Sequence, residues 1–222
     1  MTASFERRPH VPLVLLLLGA IALFPAIEDY RVARLGLNAL IVLGTVVTLH
    51  RVRARRAYAL VVAAFGLLAL VAQAAHEMRD AGGAGLAGLL SSASEFVFLG
   101  GAAGLMVAYM MQDARATVDE LFAAAAALLL LAMAWAGLYW CIAFLDPGAF
   151  NISHADQHAR STMFDFLYLS MTTITTTGYG DVLPISSWAR SAVMLEQFVG
   201  VLYVALVISR LAGFAGQERD LD

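Results

Sequence analysis

The sequence predicts an all-α integral membrane protein with six transmembrane helices and one shorter helix that enters the membrane and turns back. Three observations favour this class. The 222 residues are 61% hydrophobic and only 14% charged, whereas soluble domains are nearer half apolar and a quarter charged. The apolar residues lie in long runs separated by short polar or basic segments. A threonine-rich segment before the last run is too short to cross a bilayer.

Six apolar runs are the candidate membrane spans. They cover residues 11–27, 35–49, 58–75, 94–111, 121–145 and 188–214. The second run is the shortest, since a straight crossing needs about 20 apolar residues. The first run follows Arg7 and Arg8 and therefore has the look of a signal peptide. It lacks a clean cleavage site with small residues, so we expect it to be retained.

The polar segments between the spans indicate the topology. All 14 basic residues are arginine, and cytoplasmic loops carry an excess of basic residues. With the amino terminus inside, nine arginines fall in inner loops. We therefore expect both termini in the cytoplasm and the loop before the last span on the outside. Arginine usage and alanine-rich runs favour a bacterial source and hence the inner (plasma) membrane. Residues 81–90 are predicted to form a glycine-rich connector, and residues 217–222 a short charged tail.

The most informative stretch is Thr176-Thr177-Gly178-Tyr179-Gly180. A cation that crosses a bilayer must exchange its water shell for fixed oxygens, and a row of backbone carbonyls supplies them. Such a row needs a backbone that is neither helix nor strand, and glycine reaches the required left-handed conformations. Carbonyls of residues 176–179 would form four oxygen layers, with the Thr176 hydroxyl at the inner end. The alternative is an ordinary glycine-containing turn between two helices.

The flanks of this stretch extend the pattern. Asp165-Phe166-Leu167-Tyr168 precedes it, and Asp181, Pro184 and Trp188-Ala189-Arg190 follow it. With these flanks, residues 121–214 resemble potassium channels of the tetrameric pore-loop family, of the six-span type without voltage-sensor arginines. The resemblance implies a selectivity filter for K⁺, a pore domain at 119–216 with a pore helix at 162–175, and an N-terminal four-helix domain at 1–118. One filter per chain cannot enclose an ion, so we expect a homotetramer.

Thr177 departs from the family, which usually has Val or Ile at that place. Its side chain is expected to point away from the ion path. The change therefore bears on filter stability and inactivation more than on selectivity. The alternatives for the whole chain are a weakly selective cation channel and a non-conducting regulatory membrane subunit.

Four residues are candidate supports of the filter. Asp181 is either a solvated cap or, as the resemblance implies, a group behind the outer filter that bonds to the pore helix. Thr172 stands where similar channels have an acidic partner, so the bonding there must differ. Thr175 is a second candidate hydroxyl. Arg190 is either an interfacial residue or pairs with an outer carboxylate.

The last apolar run contains the candidate gate. Glu196 is its one carboxylate, and charges within a membrane are costly enough that a role is the default. We expect a hydrogen bond to a hydroxyl of the pore helix, such as that of Thr172 or Thr175, serving either as structural glue or as a proton-sensitive gate. Gly200 permits close helix packing or acts as a hinge. One face with three- and four-residue spacing either lines the cavity and inner mouth or faces lipid or another helix; it comprises Val201, Val204, Ile208 and Ala212.

Other functions find little support. Residues 94–111 contain no arginine, and a voltage sensor needs several, so we expect no steep voltage dependence. His154 and His158 are either a zinc-binding pair or polar loop residues. No grouped nucleophile and base predicts an enzyme, no organic cofactor is implied, and the net charge of −3 argues against nucleic acid. The expected partners are further copies of the chain, membrane lipid, K⁺ and an unidentified regulator.

Overall fold

The structure, a computed structural model, describes residues 10–27, 30–51, 56–78, 85–111, 117–153 and 162–219. These residues form seven helices and two short strands. In chain order they are α1 (Val11–Ile27), α2 (Arg31–Arg51), α3 (Arg56–Met78), α4 (Leu86–Met110), α5 (Val118–Leu145), β1 (Phe150–Ile152), α6 (Met163–Ile174), β2 (Val182–Pro184) and α7 (Ser187–Arg219). Side chains of the last helix are described as far as Arg210.

Five of the described helices, α2, α3, α4, α5 and α7, are long and apolar enough to cross a membrane. The protein is therefore an integral membrane protein, as predicted. Helix α1 has the predicted bounds, but its 17 residues make it about 26 Å long, slightly less than a typical hydrocarbon core of about 30 Å. Helix α6 has only 12 residues. A sixth span and a re-entrant helix accordingly remain predictions.

Several helices extend beyond the apolar runs that predicted them. Helix α2 begins at Arg31 instead of residue 35, and α4 begins at Leu86, so part of the predicted glycine-rich connector is helical. Helix α7 continues to Arg219, into the predicted tail. The apolar pattern marks contact with an apolar environment. Arginine at the start of α2, and glutamine, glutamate and arginine at the end of α7, are good helix formers and continue these helices beyond the apolar run.

The described chain is not purely helical. Strands β1 and β2 pair antiparallel, with Phe150 opposite Pro184 and Ile152 opposite Val182. Strands of three residues are too short to show an alternating pattern, so the sequence did not reveal them. This pair of strands joins the segment before α6 to the segment that leads into α7.

Helix α5 lies at the centre of the packing. Its small residues Ala126 and Ala127 are fully buried in an apolar core that also contains Leu17 of α1, Leu99 of α4 and Tyr203 of α7. A second cluster joins the carboxyl-terminal half of α5 to α6 and α7. The N-terminal helices and the last three helices therefore share a core along α5. Their division into two domains at residue 118 remains a prediction.

Candidate ion-conduction site

Helix α6 is short and begins sharply. The Thr162 side chain accepts a hydrogen bond from the Asp165 amide at 3.3 Å, and the Asp165 carboxylate accepts one from the Thr162 amide at 2.7 Å. This reciprocal arrangement is a capping box, which fixes the first turn. Twelve residues give a length of about 18 Å, so α6 ends well short of a full crossing. Its carboxyl end, which carries partial negative charge, leads directly into residues 175–180.

The backbone of this segment alternates in handedness. Thr176, Gly178 and Gly180 have φ angles of 60°, 54° and 78°, while the intervening Thr177 and Tyr179 have ordinary negative φ. A positive φ is uncommon for any non-glycine residue and strained for a β-branched one. The surrounding structure must therefore hold Thr176 in place. Reversing every second residue of an extended chain can turn successive carbonyls to the same side.

The amides of this segment face α6. The amides of Thr177 and Gly178 both donate to the Thr172 carbonyl, at 2.8 Å and 3.0 Å. Among the described residues, none donates a hydrogen bond to the carbonyl oxygens of residues 176–179. Residues 175–180 are exposed in the single chain. These exposed residues thus have carbonyls without a donor in the described part of the chain, and such carbonyls are available to ligate a cation.

Thr172 and Thr175 are placed differently from the expectation. The Thr172 hydroxyl donates to the Leu169 carbonyl of its own helix at 3.0 Å, so Thr172 contacts the filter segment through its backbone. The Thr175 hydroxyl donates to the Met171 carbonyl at 2.6 Å and lies 3.0 Å from the Thr177 hydroxyl. Thr177 therefore has a polar neighbour that Val or Ile could not use.

Asp181 is held by groups on three sides. The Tyr168 hydroxyl donates to its carboxylate at 2.7 Å, and the Val182 amide donates to the other oxygen at 3.1 Å. The Asp181 carbonyl accepts from the Ser153 amide at 2.8 Å. The Tyr168 ring also stacks on the Tyr179 ring, with centroids 6.1 Å apart. Hydrogen bonding to Asp181 raises the pKa of the Tyr168 hydroxyl to about 12.

Sequence reasoning missed this role of Tyr168. The tyrosine belongs to the stretch that carries the family resemblance, yet only hydroxyls of Thr172 and Thr175 were considered as supports. In the described structure Tyr168 is the α6 residue that contacts both Asp181 and Tyr179.

Glu196 has one partner of the expected kind, on α6, and one unexpected partner, on α5. The side chain is fully buried and accepts hydrogen bonds from the hydroxyls of Tyr139 on α5 and Ser170 on α6. Ser170 confirms the expected bond to a hydroxyl of the short helix. The two examples, Thr172 and Thr175, were wrong, because both threonines bond to carbonyls of their own helix. A buried tyrosine hydroxyl usually finds a partner. Tyr139 was therefore a signal present in the sequence, although its distance of 57 residues from Glu196 concealed the pairing.

Gly200 lies against the end of α6. A Cβ atom at this position would come within 3.0 Å of the carbonyl oxygen and of Cγ1 of Ile174. The close approach of the two helices thus requires glycine, and the hinge remains a prediction. Val201, Val204 and Ile208 are exposed in the single chain. Ala212 is within α7, but its side chain lies outside the described part.

Arg190 contacts the backbone instead of an acid. Its Nε donates to the Pro184 carbonyl at 3.3 Å, and no carboxylate of the described residues pairs with it. His154 and His158 fall outside the described residues, so their relative positions are not given by the structure. Among the residues that are described, no group of three or more His, Cys, Asp or Glu side chains could hold a metal ion.

The other end of α7 is also tied to α5. Arg210 pairs with Glu120 at 3.2 Å, and the Tyr203 hydroxyl donates to the Ala124 carbonyl. Next to Glu120, the Asp119 carboxylate lies 2.7 Å from Nδ1 of His10, which precedes α1. None of these pairs was predicted, because the partners are far apart in the sequence.

Comparison with known proteins bears on the same region. A family model described as "Ion channel" matches residues 121–217, which include most of α5, all of α6 and nearly all of α7. The chain is also similar to two-pore potassium channel 1 of Arabidopsis thaliana, with 35% identity over 63 residues. These matches support an ion channel and not an enzyme. The aligned segment is 28% of this chain and spans only 17% of that channel. No solved structure shows a significant match.

Helices α1–α4 lie outside the region that the ion-channel family model matches. They nevertheless share the core along α5 with the matched region. Helices α5–α7, called the channel part below, are therefore packed against a helical unit, α1–α4, whose function the comparisons do not address.

Proposed function

We propose that the chain assembles as a homotetramer and conducts K⁺ selectively and passively across the membrane. The observation that carries this proposal is the backbone of residues 176–180. Residues with positive φ alternate there with residues of negative φ, and the carbonyls have no hydrogen-bond donor among the described residues. Four such segments around an axis would surround a dehydrated K⁺ with carbonyl oxygens. The Thr176 hydroxyl would add the innermost oxygen layer.

Exposure of the last helix supports the assembly. Leu195, Phe198, Leu202 and Ile208 of α7 are all more than half exposed in the single chain. Exposed large apolar side chains at membrane depth face lipid or another copy of the chain. Because Gly200 of α7 lies against Ile174 at the end of α6, just before the filter segment, the tetramer would place α7 next to the ion path. Val201, Val204, Ile208 and Ala212 would then line the cavity and inner mouth, where an apolar ring can close by dewetting.

The contacts behind the filter would keep its shape. Tyr168 and Asp181 connect α6 to the outer end of the filter, and the Thr172 carbonyl holds two filter amides. Glu196 would hold α7 against α5 and α6 through its two hydroxyl partners. Each of these groups would act by positioning, since the carbonyls themselves would contact the ion.

The remaining helices suggest how the channel is oriented and that voltage does not gate it. With six spans the arginine distribution favours cytoplasmic termini in the plasma membrane and an external filter. Helix α4 occupies the position of a sensor helix, but Leu86–Met110 contains no arginine or lysine. Because α4 carries no basic side chain that could move through the electric field of the membrane, opening would depend little on voltage.

Reversal potentials would test selectivity directly. Purified protein in planar bilayers between potassium and sodium solutions should reverse near the potassium equilibrium potential and be blocked by barium. A reversal near zero with clear single-channel steps would contradict selectivity and favour a weakly selective cation channel. Silence of a cross-linked tetramer, at all pH values and voltages tried, would contradict conduction and favour a regulatory subunit.

A matched pair of glycine variants would locate the ion path. Gly178→Ala places a side chain on a residue with φ of 54°, whereas Gly19→Ala changes a helical glycine with nothing within 4 Å of the added Cβ. We expect Gly178→Ala to abolish conduction and Gly19→Ala to leave it unchanged. Equal conduction by the two variants would count against the filter.

A further inference from the structure

A cavity of about 440 Å³ lies between the N-terminal helices and the channel part. Six helices contribute to its wall, at the end of the bundle where α1, α3 and α5 finish and α2, α4 and α6 begin. Its volume falls within the roughly 300–1,000 Å³ that is typical of small-molecule sites. The cavity is separate from residues 176–180, which do not line it.

One carboxylate of this cavity has no counter-charge within reach of a hydrogen bond. Arg34 donates to both carboxylate oxygens of Glu77, at 2.7 Å and 2.9 Å, so these two wall residues neutralise each other. Glu95 of α4 lines the same cavity, and none of the described residues donates a hydrogen bond to it. A carboxylate within an apolar helix is costly and marks a functional site by default. Glu95 is therefore the carboxylate of this cavity that lacks an ion-pair partner among the described residues.

Amide groups lie beside this carboxylate. Asn38 Nδ2 donates to Gln73 Oε1 at 2.8 Å, and both side chains line the cavity together with Glu95. Behind the same three residues is a second void of about 10 Å³, about the size of one water molecule. An ammonium group has three donors, which matches a carboxylate flanked by amide oxygens.

Another part of the lining is apolar and aromatic. It includes Phe24, Leu37 and Trp140. Aromatic faces attract cations and pack against apolar groups. A ligand suited to both parts of the lining carries one positive charge at one end and an apolar or aromatic body at the other.

We propose that this cavity is a binding site for a small organic cation, namely a protonated primary amine with an apolar or aromatic body. Its ammonium group pairs with Glu95 and its body lies against Phe24 and Trp140. Thr162 and Leu167 of α6 also line the cavity. A bound amine thus contacts the N-terminal helices and α6 at once. The site does not depend on conduction by residues 176–180, so it stands or falls separately from the proposed function.

Isothermal titration of the purified full chain with 2-phenylethylammonium tests this proposal, after subtraction of a titration into protein-free micelles. The matched ligand is 2-phenylethanol, which keeps the aromatic body and lacks the charge. We expect the ammonium ion to bind at one site per chain and the alcohol to bind about tenfold more weakly or worse, since hydrogen bonds to charged groups are the stronger class. Equal affinities of amine and alcohol for the wild-type chain would overturn the proposal without any variant.

Variants then locate the site. Glu95→Gln keeps the size of the side chain and removes the charge, and it should weaken amine binding about tenfold while leaving alcohol binding unchanged. The control Asp146→Asn makes the same chemical change in the exposed turn after α5 and should bind the amine as the wild type does. Unchanged amine affinity of a folded Glu95→Gln chain would refute the site. So would a heat of amine binding that is no larger with the protein than with protein-free micelles.

Discussion

Tyr139 on α5 donates its hydroxyl hydrogen to the carboxyl group of Glu196 on α7, and both side chains are fully buried. Ser170 on α6 donates to the second oxygen of the same carboxyl group. One carboxyl thus connects all three helices of the channel part. Buried polar groups in proteins are normally satisfied in this way. The arrangement is what structural glue requires, whereas a proton-sensitive gate needs the carboxyl to change partners.

Removal of the Tyr139 hydroxyl should destabilise the assembled protein. Tyr139→Phe leaves a carboxyl oxygen of Glu196 without its donor, which costs about 1–3 kcal/mol for a buried group. We expect a lower midpoint of thermal unfolding. Size-exclusion chromatography of heated samples measures this midpoint. The control is Tyr58→Phe, because Tyr58 is 63% exposed. Equal midpoints for the two variants would contradict the role assigned to Tyr139.

Glu196→Gln distinguishes a structural role of Glu196, called glue here, from a role as a proton-sensitive gate. The amide keeps the shape of the side chain but cannot change its charge with pH. If Glu196 is glue, the variant conducts with the same pH dependence as the wild type, measured as open probability in planar bilayers between pH 5 and pH 9. A pH response that disappears in the variant would favour the proton-sensitive gate instead.

The Tyr168 hydroxyl should stabilise the outer filter over most of the accessible pH range. Since its pKa is raised from 10.0 to about 12, the protonated hydroxyl and its hydrogen bond to Asp181 are fully present below pH 10. They are lost only as the pH rises through about 12. Tyr168→Phe removes the bond at every pH and should speed the decay of current during sustained opening.

The matched control for this experiment is Tyr30→Phe. Tyr30 is 66% exposed and lies near the start of the chain, far in sequence from the filter. Wild-type current should decay at the same rate at pH 7 and pH 9. Decay in the wild type that accelerates between these two values would show that a different group controls it.

Thr177→Val should change filter stability more than selectivity. The substitution removes one hydroxyl of the pair with Thr175, which lies 3.0 Å away. A neutral hydrogen bond contributes about 0.5–1.5 kcal/mol, so the inactivation rate should change by about tenfold at most. Reversal potentials should stay near that of the wild type. A double-mutant cycle with Thr175→Val isolates the contact, and additive effects of the two changes would show that the hydroxyls do not interact.

Arg210 and Glu120 should be energetically coupled. Their side chains are only 14% and 5% exposed, so removal of either partner leaves a nearly buried charge alone. We expect Arg210→Gln and Glu120→Gln each to destabilise the assembled protein. The double variant should be more stable than the sum of the two changes indicates, by about 0.5–3 kcal/mol in thermal unfolding. Strict additivity would mean that the pair does not hold α7 against α5.

Features that depend on neighbouring residues were evident from the sequence alone. Long apolar runs are unstable in water wherever they sit in the chain, so residues 58–75 and 121–145 indicated membrane helices, and the structure has helices at 56–78 and 118–145 that are long and apolar enough to span. Likewise Gly178 and Gly180, two residues apart in a threonine-rich segment, pointed to an irregular backbone, and both have positive φ.

Features that depend on distant residues needed the tertiary structure. A hydroxyl chooses its partner by position in space, which is why Glu196 bonds to Tyr139 and Ser170 although Thr172 and Thr175 were equally plausible from composition. The cavity at Glu95 has the same origin, since its wall combines six helices. Local sequence determined where the chain is apolar, helical or irregular, because those preferences act over a few residues. Only the packing of helices decided which polar groups meet, because each such contact joins segments that the sequence keeps far apart.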